Sequence, residues 1–320
     1  MRIDNPFKND TWLKAIAIKP GARSVLHHVT SNHSPDRGAK PARIPGGSVG
    51  SYTPGAEPQV IAAGAGAPVP AGGKLSFSMH YTTTGKSATD QTQIGYYTLK
   101  QAPEFIKRST VISDFALKIP KGEARHTEIA YLEFPADAYL YTLYPHAHYR
   151  GWSVELKQKT PDGKESLLLS LPKYDFNWQR DYDPVEPIHI KAGTKLVAKW
   201  IYDNSTNNRA NPDPKRDITW GEQTNEEMMY FRVNYRWADE TVDNIRNDLQ
   251  SQLMSSMQIG MIDDNVDGLI QETELKGMMA SLKPRFKALD VDNSGALDPT
   301  EMKASGMGGR MMPARDNIDL

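Results

Sequence analysis

Tyr139-Leu-Tyr-Thr-Leu-Tyr-Pro-His-Ala-His-Tyr-Arg-Gly151 decides how this chain is read. Residues 139–144 are mostly aromatic or apolar and lack helical spacing, so they read as a strand. His146 and His148 follow at i and i+2; on a strand these positions face the same way, and the two imidazoles can share one metal. Outward from here, strand-like runs recur at 12–18, 75–81, 94–99, 153–158, 195–202 and 229–235. Gly- and Pro-rich joints separate them, notably 46–70. Many short strands with irregular loops predict antiparallel sandwiches rather than alternating βαβ units. The expected fold is therefore mainly β: two packed antiparallel β-sandwich (jelly-roll-like) domains at 1–112 and 113–238, then a small α-helical EF-hand pair at 239–305. Residues 306–320, rich in Met, Gly and Arg, read as a flexible tail.

The pattern changes near residue 240. Val242, Ile245, Leu249, Leu253 and Met257 recur at steps of three and four, as on an amphipathic helix. Leu275, Met278, Leu282, Phe286 and Leu289 do the same. Asp263 to Glu274 fits the twelve-residue calcium loop. Asp263, Asn265 and Asp267 offer side-chain oxygens, Gly268 takes the sharp turn, and Leu269 offers its carbonyl. Gln271 contributes directly or through water, and Glu274 closes the loop with a bidentate carboxylate. Asp290, Asp292, Ser294, the Ala296 carbonyl, Asp298 and Glu301 repeat the arrangement around Gly295. Ile270 and Leu297 hold the apolar position through which paired loops bridge. Two calcium ions per chain are expected. Only residues 275–289 separate the loops, so one helix, kinked at Pro284, is expected to serve both. That favours a structural or protein-docking role over a switch.

Bulk properties narrow the rest. A net charge of −1 gives no global attraction to nucleic acid or an anionic membrane. No apolar run is long enough to span a bilayer. The start, Met-Arg-Ile-Asp-Asn-Pro, lacks the apolar core of a secretory signal, so either the chain is cytoplasmic or an export signal or upstream domain belongs before it. The chain has no cysteine, which excludes disulfides, thiolate metal sites and cysteine nucleophiles. A transition metal must then be held by His, Met, Asp or Glu.

Of eight histidines, five fall in three informative places. His27 and His28 are adjacent, and on a regular strand would point oppositely; sharing a metal there needs a bulge or a strand end. His80 ends Leu75-Ser-Phe-Ser-Met-His-Tyr81. With nitrogen and thioether donors and no thiolate, copper or zinc is favoured over calcium or magnesium.

The order His27-His28, His80-Tyr81, His146-x-His148-x-x-Gly151 and Glu226-Glu227-Met228 resembles the copper type II, ascorbate-dependent monooxygenases. That family includes the peptidylglycine-hydroxylating and dopamine-hydroxylating enzymes. The resemblance covers about residues 7–236. Tyr174-Asp-Phe-Asn-Trp-Gln179, Asp203-Asn-Ser-Thr-Asn-Asn208, Asn211-Pro-Asp-Pro214 and Trp220-Gly-Glu-Gln-Thr-Asn-Glu-Glu-Met228 are similar to its bacterial branch. It implies two coppers per chain, with ascorbate as reductant. His27, His28 and His80 would hold the electron-donating copper. His146, His148 and Met228 would hold the copper at which dioxygen binds and a substrate C–H bond is attacked. Where peptide-amidating members carry an Arg before the His-x-His pair, this chain has Tyr144; beyond the methionine it has Tyr230 and Arg232. The peptide-carboxylate clamp is not preserved, so a small organic substrate other than a glycine-extended peptide is expected, with those three residues lining its pocket. The family and the calcium loops together imply a periplasmic or extracellular setting. The competing expectation is a non-catalytic metal-binding subunit of a larger extracytoplasmic assembly; a zinc hydrolase lacks a general base beside His146.

Overall fold

The computed structural model describes residues 1–38, 40 and 42–304; the tail expected at 306–320 lies outside the described residues. The chain is mainly β, with several antiparallel sheets. Its described residues form two compact units: 1–109 with 234–247, and 110–233 with 248–304. The boundaries expected from the sequence lie at 112/113 and 238/239.

In the first unit, Leu26–Ser34 is the centre of a ladder. It pairs antiparallel with Lys74–Tyr81 on one side and Ser48–Tyr52 on the other, with Arg2–Asp4 at the edge. A second sheet is built on Thr11–Lys19. Leu13, Ile16, Val49, Val69, Leu75 and Phe77 form the core between them. Burying such side chains is worth about 1.5–3 kcal/mol each before entropy is counted.

In the second unit, Lys195–Tyr202 pairs antiparallel with His126–Glu133 and with Gly151–Lys159. Alternation is clear in this strand, where Leu196, Ala198, Trp200 and Tyr202 are all buried. Ala138–His146 belongs to the other four-stranded sheet, beside Ile188–Ile190.

Two helical expectations need correction. The helix near 240 begins at Asn247, not at Val242. Thr241 and Asn244 exchange backbone hydrogen bonds in a turn, and Glu240 forms a buried ion pair with Arg108. Val242 and Ile245 pack instead against Trp12, Ile44 and Ile106. Tertiary burial here overrides helical periodicity. The α-helical pair is not what forms either. Among the described residues only Asn247–Gly260 is a long α-helix, while Phe286–Leu289 and Pro299–Ala304 are short. Gly277–Arg285 is 3-10 helix. Pro284 has no N–H to donate and its ring crowds the preceding turn, and Gly277 lowers helix propensity further. A tight three-residue winding results.

Helix Asn247–Gly260 docks on strand His126–Glu133. Ser256 Oγ accepts the Glu133 N–H at 2.9 Å and donates to the Glu133 carbonyl at 3.0 Å. At Gly260 a Cβ would lie 1.9 Å from the Tyr131 carbonyl oxygen, so only glycine permits this approach.

Candidate metal centres

The first histidine cluster is made by strand pairing. His28 lies directly opposite His80 in the ladder, and the register slips between Leu26 and His28. That irregularity is what adjacent histidines need in order to face one neighbourhood. His27 Nδ1 and His28 Nδ1 are 3.0 Å apart. Two nitrogens on one metal, each bonded at about 2.0 Å, would be about 3.3 Å apart at tetrahedral angles. The His28 and His80 rings stack at 4.0 Å with an interplanar angle of 23°. Stacked imidazoles hold their in-plane lone pairs in separate, nearly parallel planes, so one of these rings must rotate before all three can ligate one ion. Burial, and then the nearby His80, lowers the His27 pKa, which favours the neutral ring that metal ligation requires.

The second cluster is held by buried polar groups. His146 ends the strand Ala138–His146, and His148 follows, buried; their ring centroids are 5.2 Å apart and nearly perpendicular. Glu227 is fully buried. Its carboxylate accepts backbone N–H groups from His148, from Arg150 at 2.9 Å and from Met228 at 2.9 Å. One Glu227 oxygen serves both His148 and Met228, which places the methionine backbone beside the His-x-His segment. Burial pushes the Glu227 carboxyl up to about 7, against the pull of the three N–H donors and the Arg150 guanidinium. Arg150, also buried, donates to Asn204 Oδ1 at 2.9 Å and to the Asn225 carbonyl at 3.1 Å. Tyr202 donates to the Met228 carbonyl at 2.9 Å.

Segment 174–181 straps this cluster from another side. Tyr174 Oη donates to the Ala147 carbonyl at 2.8 Å and accepts the Ala147 N–H at 3.1 Å. Phe176 meets His148 edge-on at 6.2 Å, Gln179 bonds His146, and Asp181 pairs with Arg232 at 2.5 Å. Tyr144, Tyr230 and Arg232 do gather around His146. The Tyr144 ring is nearly parallel to it, Tyr230 is perpendicular at 5.8 Å, and the Arg232 guanidinium lies 4.7 Å over Tyr144. Burial pushes the Tyr230 hydroxyl up to about 12, so it stays a neutral donor. Glu227, Tyr174 and Gln179 lie in stretches that carry the family resemblance, but the sequence alone assigns them no role. An acidic residue beside a candidate ligand and a polar residue in an aromatic run are the available signals.

The two acidic loops take matching turns. Asp263 accepts from Gly268 N–H at 2.7 Å, as Asp290 does from Gly295 N–H at 3.0 Å. Gly268 and Gly295 have φ of 94° and 86°. Glu274 accepts N–H groups from Asp264 and Gln271, and Glu301 from Val291 and Asp298, so each closing carboxylate is turned back into its loop. Asn265, Asp267 and Gln271 are linked side chain to side chain or to backbone within the first loop. The Leu269 N–H bonds Asp267 at 2.8 Å, and Ser294 donates to the Ala296 carbonyl at 2.9 Å. Ile270 pairs with Leu297 between the loops. Ligand oxygens of Asp290, Asp292 and Glu301 lie within 4.8 Å of one another. The first loop is also bonded to the sheet. Tyr131 Oη donates to Asp263 at 2.6 Å, and Lys159 and Lys195 both donate to the Val266 carbonyl at 3.2 Å.

The other three histidines, His33, His126 and His189, bond respectively Gly72, Glu128 and Asp137. No helix among the described residues is long and apolar enough to cross a membrane.

No family model and no curated protein matches this chain. Among solved structures, the infectious bursal disease virus VP2 subviral particle aligns at a TM-score of 0.20 and 10% identity, over 72% of this chain. An IBDV viral particle aligns at 0.21 and 9% identity, over 73%. The chain spans 57% and 61% of the lengths of those two, and a likeness this slight carries no argument about function.

Proposed function

We propose that this chain is a copper-dependent, ascorbate-driven monooxygenase that hydroxylates a C–H bond of a small organic substrate, built on two β-sandwich domains and carrying two calcium loops. The observation that supports this reading most is the shared Glu227 oxygen, which holds His148 and Met228 side by side although they are remote in sequence. Imidazoles and a thioether, with no thiolate in the chain, suit copper, and the thioether favours Cu(I). Copper held by His146, His148 and Met228 would supply oxygen activation, and copper held by His27, His28 and His80 would supply electrons. The protein's own contribution is positional. Glu227 sets the backbone, Gln179 holds His146, and the strap excludes water from His148.

Asp181 already neutralises Arg232, so a neutral substrate suits the Tyr144–Tyr230 surroundings better than a carboxylate. Asp263, Asn265, Asp267, Leu269, Gln271 and Glu274 would bind one calcium. Asp290, Asp292, Ser294, Ala296, Asp298 and Glu301 would bind the other. A calcium-rich periplasmic or extracellular setting suits both.

Reconstituted protein should bind two coppers per chain, and His80→Ala should lose one of them. Met228→Leu nearly conserves volume and should cost less than about 1.5 kcal/mol. It should retain the copper of the first cluster yet lose substrate-dependent product formation with ascorbate and oxygen. Turnover of Met228→Leu at the wild-type rate would overturn the assignment. So would wild-type protein that binds one copper or none.

A further inference from the structure

Gln179 ties together two groups whose hydrogen-bonding options are unequal. Its Nε2 lies 2.7 Å from the Phe176 carbonyl oxygen. That oxygen can only accept, so the amide nitrogen must face it and the amide oxygen must face the other way. The other way is His146, whose Nδ1 contacts Gln179 Oε1, with the Tyr144 hydroxyl donating to the same oxygen at 3.4 Å. An amide oxygen cannot donate, so His146 must carry its proton on Nδ1. The same logic applies to His148, whose Nδ1 lies 3.3 Å from the Glu226 carbonyl oxygen. Both rings of the second cluster are thereby set as Nδ1–H tautomers, with the lone pair on Nε2. In the first cluster His27 and His28 face each other Nδ1 to Nδ1, so at most one of those two nitrogens can hold the proton they share.

We infer that Gln179 is a positioning residue that locks His146 in the Nδ1–H tautomer and so selects Nε2 as its metal-binding nitrogen. The inference rests on the proposed copper-binding role of His146 for its consequence, but the tautomer itself exists without metal. An imidazole whose remote nitrogen is already bonded loses less orientational freedom on ligation, and removing such a support costs about 10–100-fold in metal affinity. Gln179 is well placed for this because its segment is anchored on both sides, by Tyr174 to Ala147 and by Asp181 to Arg232.

The test uses full-length protein labelled with 15N-histidine, and two variants. Gln179→Leu removes the oxygen that His146 needs. Gln179→Glu keeps an acceptor there while losing the donor to Phe176, so the two variants share that loss and differ at the oxygen. Long-range 1H–15N spectra of metal-free wild type should show His146 as Nδ1–H, Gln179→Glu should keep that signature, and Gln179→Leu should lose it. Cu(I) affinity at the His146 cluster, read by competition with a chromophoric chelator, should fall about 10–100-fold in Gln179→Leu. In Gln179→Glu it should stay near wild type. A wild-type His146 protonated on Nε2, or a Gln179→Leu variant unchanged in both tautomer and affinity, overturns the inference even if copper binds. Wild-type protein with the expected tautomers but no copper at this cluster overturns the proposed function and leaves the tautomer assignment standing.

Discussion

The two histidine clusters are organised by different means. His27, His28 and His80 are brought together by a β-ladder and one slip in its register, and their mutual contacts are ring against ring. His146 and His148, two residues apart, are held by polar groups: buried Glu227 accepts the His148 backbone N–H, and the two Nδ1 atoms contact oxygens of Gln179 and Glu226. A ladder places Cβ atoms but leaves χ angles to be chosen. A hydrogen-bond network chooses them. Under the proposed function, the first arrangement would hold the electron-donating copper and the second would hold a fixed geometry where a substrate is oriented.

The strongest way to break this contrast is Glu227→Leu. Three buried backbone N–H groups would lose their acceptor, and Arg150 would lose a buried countercharge. The expected cost is about 3–5 kcal/mol. Chemical denaturation should show that loss, while copper should still bind at His27, His28 and His80. A loss under about 1 kcal/mol would show that the carboxylate is not what holds the second cluster.

Acidity provides a second way. Asp114 lines a cavity of about 270 Å³ with Glu128, Asp264 and Lys276. Burial, and then the Glu128 charge, raises its carboxyl to about 7. A carboxyl raised in the folded state keeps its proton where the unfolded chain has lost it. Its stabilising effect is therefore full at low pH and is lost as pH rises from about 4 through about 7. The change amounts to roughly 4 kcal/mol over that window, at 1.36 kcal/mol per unit. Asp114→Asn can still accept the Ala116 N–H, should flatten this slope and should melt higher than wild type at pH 8. An unchanged slope of stability against pH would count against it.

Calcium sharpens the contrast most gently. The first loop is tied to the sheet of the second unit through Tyr131, Lys159 and Lys195. Calcium at 100 times its Kd should stabilise that unit by about 2.7 kcal/mol for each ion bound. Glu274→Gln with Glu301→Gln should abolish this gain, seen as a melting temperature that no longer rises with calcium. Copper should still bind at the six proposed His and Met ligands in the double variant. Equal loss of copper would mean the metal sites depend on the loops.

Much of this was legible in the residues alone. Short runs punctuated by Gly and Pro fix a β fold, because strand length and turn chemistry are local properties. The acidic loops are legible for the same reason: their glycines and carboxylates act within one turn of chain. His146-x-His148 needs only the two-residue pleat to be read as a pair. Tertiary structure alone decided the rest. Val242 and Ile245 follow a helical rhythm yet lie outside the helix, where they pack, partly buried, against an apolar surface formed by Trp12, Ile44 and Ile106. The 277–285 stretch tightens into 3-10 winding at a proline that the sequence displayed as a mere kink. Glu227 and Gln179 could not be assigned from spacing, because their partners come from remote segments. A buried carboxylate or amide takes its role from the donors and acceptors that folding brings to it.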